Sequence, residues 1–253
     1  MTTKHVRAKV VARKDFTNDL FCLWFRPETE DGESFDFKFK PGQYCTLGKD
    51  GIERAYSIVS APHEEFLEIF IELVHEGELT PKMFELKLGD YMSLRPKAKG
   101  IFTFDPKYKN HVMAATVTGI APYVSIIRDY RHRLKSGHKF FALQGASYFD
   151  EFVYDDEFTE LMKLELSESG LVYLATVSRP DEARNKGWRE NGGRAGRVNE
   201  ILEYYLSIWN MEYNLRQDNT LVYACGHPGM IEDVKARLLP KGWKVKEERF
   251  WKE

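Results

Sequence analysis

The chain has 253 residues, with 37 Lys and Arg against 39 Asp and Glu, a formal net charge of −2. Hydrophobic residues at 43% and aromatics at 14% exclude a disordered chain, and the length fits one large domain or two modest ones. The near-neutral balance excludes electrostatically driven nucleic-acid binding. Cys22, Cys45 and Cys225 have no metal-ligand spacing and are too few for a cysteine-ligated iron–sulfur cluster, which needs about four thiolates. No metal site is expected. No apolar run approaches the roughly 18 residues of a membrane-spanning helix, and Met-Thr-Thr-Lys-His opens no apolar signal region. The expectation is a cytoplasmic protein with no membrane partner, and nothing in the chain demands more than a monomer.

The first hundred residues read as strands. Val6, Ala8 and Val10 alternate with polar neighbours, as do Phe21, Leu23 and Phe25, then Ile69, Ile71 and Leu73. Asn18-Asp19, Asp31-Gly32, Pro41-Gly42, Asp50-Gly51 and Gly89-Asp90 supply turns between them. This pattern predicts an antiparallel barrel, with one short helix capped by Thr80 and carrying Pro81 in its first turn. From about residue 111 the rhythm becomes strand then helix. Strands are predicted at 112–117, 139–144, 171–177 and 220–225, with helices near 122–135, 154–164, 197–208 and 228–239. Such alternation predicts an open parallel sheet covered on both faces. The boundary is placed at Asp105–Asn110, and residues 181–196 form a long Gly-rich loop.

Five motifs stand in order along this frame. Arg54-Ala55-Tyr56-Ser57 ends a barrel strand and puts a cation and an aromatic plane on one side, which suits a ligand carrying both phosphate and rings. Ser57 would point the other way in an ideal strand, so its contact requires a strand end or a bend. Pro41-Gly42-Gln43-Tyr44 lies upstream and Gly77-Glu78-Leu79-Thr80-Pro81 downstream. Thr116-Val117-Thr118-Gly119-Ile120-Ala121-Pro122 opens the second half, and Cys225-Gly226-His227-Pro228 lies near its end.

In these residues the chain resembles the ferredoxin–NADP reductase family of flavoproteins, its bacterial ferredoxin/flavodoxin reductases in particular. The resemblance spans essentially the whole chain. It implies residues 1–105 as an FAD-binding antiparallel β-barrel and 110–253 as an NADP-binding α/β domain whose C-terminal tail returns to the flavin. FAD contacts are then expected from Arg54, Ala55, Tyr56, Ser57, Ile71, Leu73, Val74, Gly77, Leu79, Thr80, Thr118, Phe250 and Trp251. NADP(H) contacts are expected from Ser147, Ser178, Arg179, Arg197 and Gly226. Ser57, Cys225 and Phe250 are the residues implied at the reacting rings. Gly77 would let the backbone approach a phosphate at a helix start. Three positions depart from the family: Val117 where glycine is usual, Ser147 in place of an arginine, and His227 where the family has asparagine.

The resemblance implies electron transfer between NADP(H) and a one-electron carrier, ferredoxin or flavodoxin, by hydride transfer at flavin N5. Residues 82–109 hold seven Lys or Arg against three Asp or Glu, a local +4 that could steer an acidic carrier. The alternatives are an NADH-dependent reductase component of an oxygenase or larger redox complex, and a non-catalytic flavin- or nucleotide-binding subunit.

Overall fold

The alternating stretches of the first hundred residues form six antiparallel strands. They are β1 (Val6–Asp15), β2 (Leu20–Thr29), β3 (Tyr44–Lys49), β4 (Ile52–Ser57), β5 (Leu67–Glu72) and β6 (Tyr91–Leu94). The computed structural model describes residues 6–133, 136–163 and 170–249. The strand order is β4-β3-β6-β1-β2-β5, and β4 and β5 at its two ends meet, so the sheet curls into a nearly closed barrel. Val6, Ala8 and Val10 are buried between half-buried Arg7 and Lys9, as a period of two requires when one face packs inward. At Asp50-Gly51 both φ angles are positive (52° and 81°), which matches a two-residue type I′ hairpin joining β3 to β4.

β5 departs from alternation: Leu67 to Ile71 are all buried. Helix α2 (Ala121–His132) bonds to this part of the barrel: Arg128 reaches Glu68 at 2.7 Å, and Ser125 Oγ donates to the Ser60 carbonyl at 2.7 Å. These bonds explain why the chain divides into one compact unit of Met1–Phe104 with Ala121–Tyr130 and another of Asp105–Ile120 with Arg131–Glu253. A helix α1 (Thr80–Phe84) of five residues lies between β5 and β6. The strand alternation read through Leu73 stops at Glu72, although Leu73 still donates its N–H to Asp19 at 2.7 Å.

The second unit is a parallel sheet of β7 (Asn110–Thr116), β8 (Lys139–Ala146), β9 (Leu171–Val177), β10 (Arg194–Ala195), β11 (Thr220–Cys225) and β12 (Lys244–Glu248), ordered β10-β9-β8-β7-β11-β12. Helices α3 (Asp155–Lys163), α4 (Val198–Tyr213) and α5 (Pro228–Leu238) follow strands β8, β10 and β11. The four predicted strands are present. β10 and β12 were not expected, because β10 is two residues long and β12 reads Lys-Val-Lys-Glu-Glu. An edge strand packs on one neighbour only and tolerates that charge. The chain runs outward from β7 through β8 to β9, then returns to place β11 on the other side of β7. The order therefore reverses between β7 and β11, and open α/β sheets bind ligands outside the carboxyl ends of strands at such a reversal.

Candidate functional site

On the barrel, the β3–β4 register sets Tyr56 opposite Cys45 and Arg54 opposite Leu47, so both side chains share the face that those buried residues define. Tyr56 packs half-buried against the barrel core, and burial pushes its phenol up. Arg54 is exposed and forms an ion pair with Glu78, which joins the strand end to the Gly77–Thr80 segment. Ser57 is the last residue of β4, and its Oγ is buried with no hydrogen-bond partner among the described residues. A buried hydroxyl without a partner is costly, so this one marks a place where another group completes the surface.

The Gly77–Thr80 segment differs from expectation in one respect. Leu79, not Thr80, stands at the N-cap of α1 and no side chain caps it. Thr80 Oγ1 instead accepts from Val74 N at 3.0 Å and donates to Val74 O at 3.1 Å, closing the loop that holds Gly77. Gly77 donates its N–H to Val74 O, and a Cβ there would lie 2.9 Å from that oxygen, so the turn itself requires glycine. Ile71 and Leu79 are core side chains, which leaves only their main chain to face a ligand, whereas Leu73 is half-buried and Val74 exposed.

At the reversal of the parallel sheet, two glycines bring the carboxyl ends of β7 and β11 together. A Cβ on Gly119 would lie 2.2 Å from the Cys225 carbonyl oxygen. Gly226 has φ 129°, and a Cβ there would lie 2.1 Å from Thr116 Oγ1. His227 N donates to that same hydroxyl at 2.7 Å. His227 also caps α5, its Nδ1 accepting from Gly229 N at 3.1 Å with Pro228 following. Cys225 is fully buried, and burial pushes its thiol up, so it is a neutral packing group and not a thiolate. Val117 lies in the left-handed region at φ 41°, an outlier for a β-branched residue. Thr118 and Gly119 follow it in a short 3-10 turn.

Besides Gly226 after β11, the expected NADP residues lie at the carboxyl ends of β8 and β9 and at the start of α4. Buried Asn185 ties the first two together: its Nδ2 donates to the Ser147 and Arg179 carbonyls at 2.9 and 2.8 Å, and its Oδ1 accepts from Phe149 N at 2.9 Å. Arg179 is exposed and donates to Tyr148 Oη at 3.1 Å, with Glu182 at 3.8 Å. Arg184 lies over the Tyr148 ring at 4.2 Å and pairs with Asp150 at 2.8 Å. The Glu151 carboxylate accepts from Ser147 N and Tyr148 N. Ser178 is exposed, and Arg197 is exposed without an ion pair among the described residues. The long loop is pinned by Trp188, which lies against Phe149 and Phe152 and fills the space that a Cβ on Gly193 would need.

Asn185, Tyr148 and Arg184 were not singled out from the sequence, because a loop Asn or Arg shows no periodicity and reveals its role only through neighbours about 35 residues away. Glu248 was missed as well. It is paired in register with Cys225, its Oε2 finds no partner among the described residues, and burial pushes its carboxyl up to about 7. Arg249 is drawn into ion pairs with Glu232 and Glu247. Phe250 and Trp251 lie outside the described residues.

Residues 113–236 match the oxidoreductase NAD-binding domain family. A ferredoxin–NADP reductase of Pseudomonas aeruginosa is 30% identical over 219 residues, covering 82% of this chain and 81% of its own. The chain belongs to the ferredoxin–NADP reductase family. A flavodoxin/ferredoxin–NADP reductase of Buchnera aphidicola is 26% identical over 263 residues, 97% of this chain and 98% of its own. Among solved structures, a ferredoxin NADP+ reductase from Neisseria gonorrhoeae with bound FAD and NADP superposes with a TM-score of 0.79 at 24% identity, over 98% of this chain and 99% of that one. The barrel and the parallel sheet are thus the reductase fold. Within this family His227 keeps the helix-capping capacity of the usual asparagine, since either side chain offers an acceptor to the first turn.

Proposed function

We propose that this chain is a flavoprotein oxidoreductase that passes electrons between NADP(H) and a one-electron protein carrier of the ferredoxin or flavodoxin class. FAD is assigned to the barrel and NADP(H) to the parallel-sheet unit. The observation that carries the reading is the buried Ser57 hydroxyl, without a hydrogen-bond partner among the described residues, at the end of the strand that presents Arg54 and Tyr56. Bound FAD supplies the chemistry that couples a hydride donor to a one-electron carrier, and the protein's share is binding, orientation and tuning. Tyr56 offers a half-buried ring face, Ser57 a hydroxyl free to donate or accept, and Arg54 a guanidinium now held by Glu78 that a phosphate can share.

On the other unit, Arg179 and Arg197 are the cations proposed for the adenosine 2′-phosphate, with Asn185 and Tyr148 positioning the Arg179 loop. Replacing Arg179 with alanine should raise KM for NADPH roughly ten- to a hundredfold, the worth of a charge-assisted phosphate contact, while changing that for NADH by less than about threefold. Steady-state kinetics with both donors checks this, and equal changes would remove the role. For carrier docking, Lys97 and Lys99 lie exposed near Ile101, which is 83% exposed, whereas Lys82 is paired with Asp50. No helix among the described residues is long and apolar enough to cross a membrane.

The deciding experiment is an anaerobic absorbance titration of the purified protein, first with NADPH and separately with NADH. A flavin spectrum bleached at much lower NADPH than NADH is the expected result. Bleaching by NADH alone would move the assignment to a reductase component of a larger complex. A protein that stays colourless after incubation with FAD would overturn the proposal.

A further inference from the structure

Val117 occupies the left-handed region at φ 41°, which a branched side chain rarely adopts. A force from elsewhere has to hold the turn. Gln144 on β8 provides it: the side chain is fully buried, and its Nε2 donates to the Val117 carbonyl at 3.3 Å. A carbonyl oxygen only accepts, so the amide nitrogen must face it and the amide oxygen must face away. On that side Tyr173 Oη stands 2.9 Å from Gln144 Oε1 and donates to it. The Tyr173 phenol has one proton and a second potential acceptor in the Asp155 carboxyl. The result is two donors pointing one way, from Tyr173 on β9 through Gln144 on β8 to the turn after β7.

We propose that Gln144 is a positioning residue that fixes the peptide between Val117 and Thr118, and so shapes the nucleotide end of the parallel sheet. The peptide is planar and trans, so its C=O and N–H point in opposite directions. Holding the Val117 carbonyl toward buried Gln144 therefore turns the Thr118 N–H away from the sheet interior. It also keeps Val117 in a conformation that glycine would adopt without help. The inference rests on the assignment of NADP(H) to this unit. It adds to that assignment a buried residue that touches no ligand and compensates for the valine at this turn.

The test is a double-mutant cycle read by NADP+ affinity of the FAD-loaded protein, with thermal midpoint recorded alongside. Gln144→Met should weaken NADP+ binding about five- to tenfold, the worth of one hydrogen bond, in the chain with Val117. In a Val117→Gly background the same substitution should cost less than twofold, because glycine needs no restraint at that φ. Tyr173→Phe, which removes only the phenol oxygen, should show the same pattern at smaller amplitude and serves if Gln144→Met does not fold. A purely structural Gln144 would lower the thermal midpoint equally in both backgrounds and leave affinity unchanged, and that result overturns the inference. Equal affinity losses in both backgrounds overturn it too. A wild-type protein that binds no NADP+ overturns the functional assignment itself, a result distinguishable from the other two.

Discussion

Gly226→Ala should lower the stability of the parallel-sheet unit by roughly 3–5 kcal/mol, a fall of about 10 °C in thermal midpoint. Two costs add. At φ 129° an alanine is strained whatever the space, and its Cβ would lie 2.1 Å from Thr116 Oγ1 and 2.9 Å from both Thr116 N and O. The backbone atoms cannot step aside, so β7 and β11 would have to part at their carboxyl ends. The same movement would stretch the 2.7 Å bond from His227 N to Thr116 Oγ1 and loosen the start of α5. Nucleotide affinity should fall with stability, because the proposed nucleotide end of the sheet is built on that approach. Gly192→Ala is the control. It too has positive φ (80°) but nothing within 4 Å, so only the backbone cost of about 1 kcal/mol applies. Calorimetry or thermal unfolding of the two variants separates the terms. Equal effects would show that the close approach contributes nothing.

Tyr56→Ala should leave the barrel folded and strip it of flavin. Tyr56 lies half-buried at the edge of the barrel core, beside a hydroxyl with no partner among the described residues. A ring face of this kind stabilises a stacked planar ligand through both area and ring–ring attraction, together about 1.5–3 kcal/mol, or roughly ten- to a hundredfold in FAD affinity. The purified variant should emerge with substoichiometric flavin and recover its flavin absorbance only at high added FAD. Tyr56→Phe should retain flavin, since the phenol oxygen is not the contact invoked. Unchanged flavin occupancy in the alanine variant would remove Tyr56 from the cofactor site.

The departures from family pattern are instructive because each has a local physical resolution. His227 offers an Nδ1 acceptor to Gly229 N, so the cap survives the loss of asparagine. Val117 keeps a conformation suited to glycine, and Gln144 holds its carbonyl. Near Ser147, where an arginine is usual, Arg184 arrives from the long loop and lies over Tyr148, although Asp150 and Glu151 share its charge.

Much of the architecture was legible from the chain alone. Period-two alternation in Val6–Val10 and Phe21–Phe25 specified strands with one buried face, and Asp50-Gly51 specified a tight hairpin, because both signals depend on neighbours a few residues apart. The apolar runs after residue 110 specified a buried parallel sheet for the same reason. The ordered motifs then marked Arg54, Tyr56 and Ser57 on one strand end. Other features depend on residues far apart in the chain, and only the folded structure decided them. Helix α2 follows the first strand of the parallel sheet yet bonds to β5 of the barrel, through Arg128 and a glutamate 60 residues earlier. Thr80 closes a loop where a helix cap was predicted, because Val74 presents both an N–H and a carbonyl to its hydroxyl. Gly226 needs to be glycine because Thr116, 110 residues before it, occupies the space of a side chain. Local sequence determines which elements form. Where two of them touch is determined by packing, and the exacting positions of this protein, Gly119, Gly226, Val117 and Gln144, all lie where strands brought together by the sheet meet at their ends.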